Sequence, residues 1–211
     1  MKKVILLFSI CSIITVATQA QKSSKPQVSV VFGLNQPIVF HGFNVEVNYW
    51  TKKWVFDYSH GFGLKTDGKF LGDEYTNQQI DFKITHSLGP GIGYRFTEAF
   101  NLRFEPKVHF YETYYQGQLQ TKSNSIVNFR TYTVGLGAYY RWLPFAKNNN
   151  ASKGITVVPS IRFWQKVGTS LHDDRFSYFN SKTVKNEILK APNIGISNSP
   201  FLANISIGYT F

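Results

Sequence analysis

Cysteine is almost missing from this 211-residue chain: the one thiol, Cys11, falls in a leader-like segment. Without that segment, no thiol is left for a disulfide, a thiolate metal site or cysteine catalysis. Acidic residues are scarce too, with 12 Asp and Glu against 23 Lys and Arg, a formal charge of +11. Only 17% of the chain is charged, while another 17% is aromatic. Beyond the first twenty residues, no apolar run approaches the ~20 residues of a transmembrane helix. Lys2 and Lys3, the apolar run Val4 to Ala17 and then Thr18-Gln19-Ala20 have the layout of a secretory signal peptide. Residues 1–20 are therefore expected to be cleaved, residues 21–27 to form a short tail and residues 28–211 to fold as one domain. Ile10, where lipoprotein processing takes a small residue, and the apolar residues after Cys11 argue against lipid attachment there. A basic chain often binds nucleic acid. An exported chain does not meet it, so no nucleic-acid partner is expected.

What the sequence has in abundance is alternation. Apolar side chains recur with period two, and no window holds helical spacing for long, so the chain is all-β. Eight strands are predicted: Val28 to Asn35, Phe43 to Trp50, Trp54 to Phe62, Asp81 to Phe96, Phe100 to Tyr111, Thr131 to Trp142, Ile155 to Val167, and Phe201 to Phe211. In the fifth, for example, Leu102, Phe104, Val108 and Phe110 alternate with Arg103, Glu105, Lys107 and His109. The fourth places Phe82, Ile84, Leu88, Ile92, Tyr94 and Phe96 opposite Lys83, Thr85, Ser87, three glycines and Arg95. Compact joints at Thr51 to Lys53, Thr97 to Ala99 and Leu143 to Gly154 alternate with Gln36 to Gly42, Gly63 to Ile80, Glu112 to Arg130 and Gly168 to Pro200. Turns at one end and loops at the other describe an up-and-down antiparallel barrel, with both chain ends on the turn side.

Volume decides which face is wet. An eight-stranded barrel is only just wide enough inside for its own side chains, so the many Phe, Tyr, Trp, Leu and Ile of the apolar face do not fit there. The opposite face carries Gly89, Gly91, Gly93, Gly135, Gly137 and Gly208 among Ser, Thr and charges, a mix a narrow bore can hold. The bulky face must point to lipid. The endings Asn48-Tyr49-Trp50, Tyr94-Arg95-Phe96, Tyr140-Arg141-Trp142 and Tyr209-Thr210-Phe211 agree, since amphipathic rings gather where hydrocarbon meets headgroup. Tyr49, Trp50, Tyr94, Phe96, Tyr140 and Trp142 are thus expected to form a girdle.

The last strand, Asn204-Ile205-Ser206-Ile207-Gly208-Tyr209-Thr210-Phe211, resembles the ending of small bacterial outer-membrane β-barrel proteins of the OmpX-like or PorT-like class. The resemblance extends over Val28 to Phe211. It implies an address in the bacterial outer membrane, a periplasmic position for the tail and the girdle, and contact with membrane lipid and lipopolysaccharide. It also implies that Tyr209 and Phe211 are the signal read by the barrel-assembly machinery.

With the small polar face inside, Glu46, Asp57, Asp81 and Glu105 meet Lys83, Arg95, Arg103, Lys107, Arg141, Arg162 and Lys166 in the bore. Buried charges must pair, so a ladder of bridges that closes the lumen is expected. An anion path is the sharper alternative, but open channels belong to barrels of about sixteen strands. No cofactor and no metal are expected, because His172-Asp173-Asp174 and Asp73-Glu74 read as solvated loop clusters. Some barrels of this class are lipid A hydrolases or acyltransferases. Here Ser59-His60 and His86-Ser87 are neighbours that point to opposite faces, and His41, His109 and His172 read as rim or loop residues. The expected role is non-enzymatic and structural or interactive, through the extracellular loops and an outside protein partner. The lipid-modifying enzyme and, from the PorT-like resemblance, an accessory component of a secretion system are the alternatives.

Overall fold

The computed structural model describes residues 25–66, 75 and 77–211. The expected signal peptide and the Asp73-Glu74 pair lie outside them. All eight predicted strands form: β1 (Gln27–Gly33), β2 (Phe43–Trp50), β3 (Trp54–Thr66), β4 (Ile80–Arg95), β5 (Phe100–Tyr115), β6 (Asn128–Tyr140), β7 (Ile155–Thr169) and β10 (Phe201–Thr210). Each pairs antiparallel with its neighbour in the chain's own order. The last meets the first through Ser29 opposite Thr210 and Phe32 opposite Ile207, so the sheet has no free edge. A short helix α1 (Asn35–Val39) occupies the first loop-side connection. The last connection, for which the sequence predicts a loop, holds a hairpin, β8 (Arg175–Asn180) with β9 (Lys185–Lys190).

Alternation sets the two faces. Phe104 and Leu136 sit opposite each other on β5 and β6 and point outward, while their neighbours Arg103 and Glu105 are buried. Phe56, Ile92, Leu102, Ile161 and Ile205 extend the same apolar outer wall around the barrel. The bore is polar, holding Ser29, Glu46, Asn48, Asp57, Asn101, Arg103, Glu105, Lys107, His109 and Arg162, all buried. Glycine makes room for the bulkier contents: a Cβ on Gly91 would overlap the Asp57 carboxylate, and one on Gly135 would enter the Trp164 indole.

Three expectations about faces are corrected. The β4–β5 register shifts between Ile84 and His86, a bulge at which one strand carries an extra residue. Above it the faces exchange, so Phe82 and Ile84 turn inward and are buried instead of meeting lipid. Lys83, placed in the lumen by period two, correspondingly leaves it: its ammonium lies 3.9 Å from Glu112 Oε2 and donates to the Gln120 carbonyl. Trp50 is no girdle residue, because next to outward Tyr49 it must point inward, where it is 1% exposed and donates its indole N–H to Ser29 Oγ.

The inward turn of Phe82 and Ile84 serves a second core. Phe40, Leu64, Tyr75, Ile80, Phe82, Ile84, Tyr111, Phe129, Phe176, Tyr178, Leu189 and Ala191 cluster at the loop end, above the charged bore. Tyr111 stacks on Phe129 at 5.1 Å, and Phe129 on Phe176 of the hairpin at 5.8 Å. The hairpin is therefore packed down on the barrel mouth by the face carrying Phe176, Tyr178 and Leu189.

Candidate functional site: a charged bore and its loop-end cap

Arg103 is the hub of the bore. Its Nη1 donates to Glu46 Oε1 at 2.8 Å and to Asn48 Oδ1 at 2.6 Å, and its Nε donates to Asn101 Oδ1 at 2.8 Å. Asp57 Oδ2 lies 3.3 Å from the same Nη1. Two strands further round the bore, on β7, Arg162 reaches the other oxygen of Glu46 at 3.5 Å. Tyr139 donates to Glu105 Oε2 at 2.7 Å, and Lys107 lies 3.5 Å from Glu105 Oε1 and donates to Ser59. Three cations, Arg103, Lys107 and Arg162, thus meet three carboxylates, Glu46, Asp57 and Glu105. Aromatic faces complete the layer, with Arg103 over Tyr139 at 3.9 Å and Lys107 over Trp164 at 4.5 Å.

At the turn end a separate layer of side chains packs across the bore. The Trp50 indole has Arg141 at 4.3 Å, Arg103 at 5.3 Å and Arg95 at 5.5 Å from its ring centroid. Arg95 Nη2 is 2.7 Å from Glu98 Oε2 on the β4–β5 turn, and Arg141 donates to Gln27 at 3.0 Å. At the loop end Lys166 leaves the central network and pairs with Asp174 at 2.7 Å beneath the hairpin. Asp81 accepts from the Gly117 N–H at 3.4 Å near the upper rim. Of the expected girdle, Tyr49, Tyr94, Phe96 and Trp142 are exposed on the outer wall and Tyr140 is half-buried there. Tyr209 is half-buried on that wall and Phe211 exposed, their rings 5.0 Å apart.

One pairing escaped sequence reasoning. Ser87 and His109 face each other across β4 and β5, with Ser87 Oγ 2.8 Å from Nδ1 and Thr133 Oγ1 2.9 Å from Nε2. Only inter-strand register could have revealed it. Both ring nitrogens are engaged by hydroxyls, and among the described residues no carboxylate bonds to the ring, the third member of a nucleophile–base system. It lies under the cap beside a cavity of only about 40 Å³ lined by Ser59, Ser87, Lys107 and Trp164. Among the described residues no group of three or more His, Cys, Asp or Glu is placed to hold a metal.

The cap has its own polar clasp. Glu187 accepts from Thr183 Oγ1 at 2.6 Å and Asn180 Nδ2 at 3.0 Å, and the Tyr178 hydroxyl lies 3.1 Å away. These donors hold the Glu187 carboxyl below its ordinary range. Burial, with Glu187 beside it, pushes the Tyr178 phenol up to about 12. The hairpin's other face presents Phe179, Val184 and Ile188 to the outside, with Arg175 and Lys185 also exposed.

A closed eight-stranded barrel with a greasy exterior and a charged, filled bore is the inverse of a water-soluble one, and it defines the class: a small bacterial outer-membrane β-barrel protein. No protein-family model matches the chain, and no curated protein sequence does. Among solved structures it is similar to the crystal structure of Ail, the attachment invasion locus protein of Yersinia pestis. That comparison gives a TM-score of 0.39 at 13% identity, covering 88% of this chain and 96% of Ail. The structure of Ail with the heparin analogue sucrose octasulfate gives 0.41 at 12% identity, covering 89% and 99%. Its backbone structure in a phospholipid nanodisc gives 0.39 at 14% identity, covering 89% and 100%.

Proposed function

We propose that this protein is a non-conducting, non-enzymatic outer-membrane barrel whose task is to hold a folded extracellular cap for contact with another macromolecule. The carrying observation is the β8–β9 hairpin: one face is fixed to the barrel by Phe176, Tyr178 and Leu189, leaving Phe179, Val184 and Ile188 outward. A loop that only joined β7 to β10 has no need of a strand pair, a separate apolar core and a carboxylate clasp. Rigid scaffolds carrying exposed aromatic and aliphatic anchors are what interfaces use. The two bore layers, around Arg103 and around Trp50, support the non-conducting part. Export by a cleaved leader and recognition of Tyr209 and Phe211 by the assembly machinery belong to the same proposal.

Site-specific photo-cross-linking in whole cells tests it. Probes at Phe179 and Ile188 are expected to give discrete protein adducts, while probes at Phe104 and Leu136 give lipid adducts only. Adducts indistinguishable between the two sets, or unit conductance steps in planar bilayers, would overturn the reading. The Ser87–His109 pair is what would favour a lipid-modifying enzyme. Unchanged lipid A masses in cells with and without the protein are expected instead.

A further inference from the structure

A hydrogen-bonded histidine pair sits on the lipid-facing wall, a place where polar groups are costly unless something polar meets them. His60 Nε2 and His86 Nδ1 are 3.0 Å apart, bridging β3 and β4 on the outside of the barrel. His86 belongs to a row that runs across four strands: Phe62 opposite His86, His86 opposite Phe110, Phe110 opposite Arg130. The Arg130 guanidinium lies 5.0 Å from the Phe110 ring centroid, and His86 meets the same ring edge-on at 6.2 Å. One tier higher, Lys65 is opposite Lys83, whose charge is offset by Glu112. His86, Arg130 and Lys65 are all exposed.

The height of this row matters. Phe62 is eight residues along β3 from Trp54, an exposed ring at the turn end. At ~3.3 Å per residue and a tilt of ~40°, that is about 20 Å above the lower boundary of a hydrocarbon band ~25 Å tall. Phe62 therefore lies about 5 Å below the upper edge of that band, and Lys65, three residues further along β3, rises past it toward the headgroup phosphates. Among the described residues these outward cations gather in one sector of the wall. Around the rest of the rim the corresponding outward contacts are aromatic pairs, Phe32 with Phe43 at 5.3 Å and Phe163 with Phe201 at 5.1 Å.

The histidine pair adds a donor of fixed number. In a neutral pair one ring N–H is used between the rings. If His60 donates, His86 carries its proton on Nε2; if His86 donates, His60 carries its own on Nδ1. In either arrangement one N–H remains to be given to an outside acceptor. Beside it stand a guanidinium, suited to bidentate phosphate recognition, and an ammonium.

We propose that the outer sector of β3–β6 formed by His60, His86, Arg130 and Lys65 is a binding site for the phosphate of an outer-leaflet lipid headgroup, the acyl chains lying down the wall along Phe62 and Phe110. The proposal rests on the transmembrane reading of the barrel and adds a particular lipid contact to it.

Native mass spectrometry of the detergent-released protein tests the proposal, with bis-phosphorylated lipid A as one probe and its dephosphorylated form as the other. Parent protein, an Arg130→Gln/Lys65→Gln variant and a His60→Phe/His86→Phe variant are compared, each first checked for the gel-mobility shift on heating that reports a closed barrel. The parent should retain phosphorylated lipid A at least about tenfold better than the Arg/Lys variant, the loss expected for charge-assisted hydrogen bonds. It should also prefer it over the dephosphorylated form. Equal retention of the two lipids by the parent, or equal retention by parent and both variants, overturns the site. So does displacement of lipid A by inorganic phosphate at equal concentration, which would make it a site for free anions. If one variant does not close, the other carries the comparison. Absence of the heat shift in the parent would instead sink the membrane-barrel reading beneath it.

Discussion

The guanidinium carbon of Arg103 lies 3.9 Å from the centre of the Tyr139 ring, while Tyr139 itself donates to Glu105 at 2.7 Å. One aromatic ring thereby ties a buried cation to a carboxylate that the cation does not touch. Removing the cation takes away the ion-pair partner of Asp57 and leaves Glu46 with Arg162 alone. Arg103→Met is expected to cost about 3–5 kcal/mol, the usual effect of breaking a buried ion pair from one side. The midpoint of urea unfolding in detergent measures it. Adding Glu46→Gln to that variant should recover part of the loss, and an additive result would count against a shared network.

Gly135 gives a packing test. Any side chain there meets the Trp164 indole that lies on it across the strand pair. Gly135→Val should destabilise by about 1–3 kcal/mol, as overpacking does. Trp164→Ala in the same chain should relieve most of that penalty. Failure of the second change to help would mean the glycine is needed for some other reason.

The two faces of the wall can be checked at mid-strand. Phe104 and Leu136 are cross-strand partners on the outer surface, 45% and 64% exposed. Phe104→Arg and Leu136→Arg should each cost about 2–4 kcal/mol in a bilayer if they sit near its midplane. Equal stability of parent and variants in lipid vesicles would put the wrong face toward the membrane.

The cap should loosen in acid. Glu187 has its carboxyl lowered by hydrogen bonds from Thr183, Asn180 and Tyr178. A depressed folded-state pKa means the clasp is fully formed above the ordinary value of 4.5 and is lost as pH falls through the lower folded value. A spin label at Val184 should therefore be immobile at neutral pH and gain mobility only below about pH 4.5. In Glu187→Gln the label should show no such transition. A transition retained in that variant would assign the titration to another group.

How much of this was legible in the sequence depends on where a residue lies along its strand. Near mid-strand, alternation is enough: Leu102 and Phe104 outside, Arg103 and Glu105 inside, with nothing but period two. Toward the loop end it fails, because the bulge between Ile84 and His86 adds a residue that composition does not announce, and Phe82, Ile84 and Lys83 all change sides. Trp50 was legible and misread. Its position next to Tyr49 already required the opposite face, but the cluster of rings looked like a girdle. The segment Arg175–Asn180 alternates as well as any barrel strand, but its six residues lie inside a long connection between two barrel strands, where alternation alone does not separate a hairpin from a loop. Ser87 with His109, and Lys166 with Asp174, depend on register between strands or on how a loop folds back, and no spacing along the chain encodes either.

The seam between β1 and β10 joins five residue pairs, Ser29 to Gly33 against Thr210 to Ser206, whereas β5 and β6 share thirteen. That seam alone turns the sheet into a cylinder. The Arg103 hub on β5 and its acids, Glu46 on β2 and Asp57 on β3, belong to strands that do not form it. The wall is thus fastened by its shortest zipper, and the charges it encloses are knotted together away from that fastening.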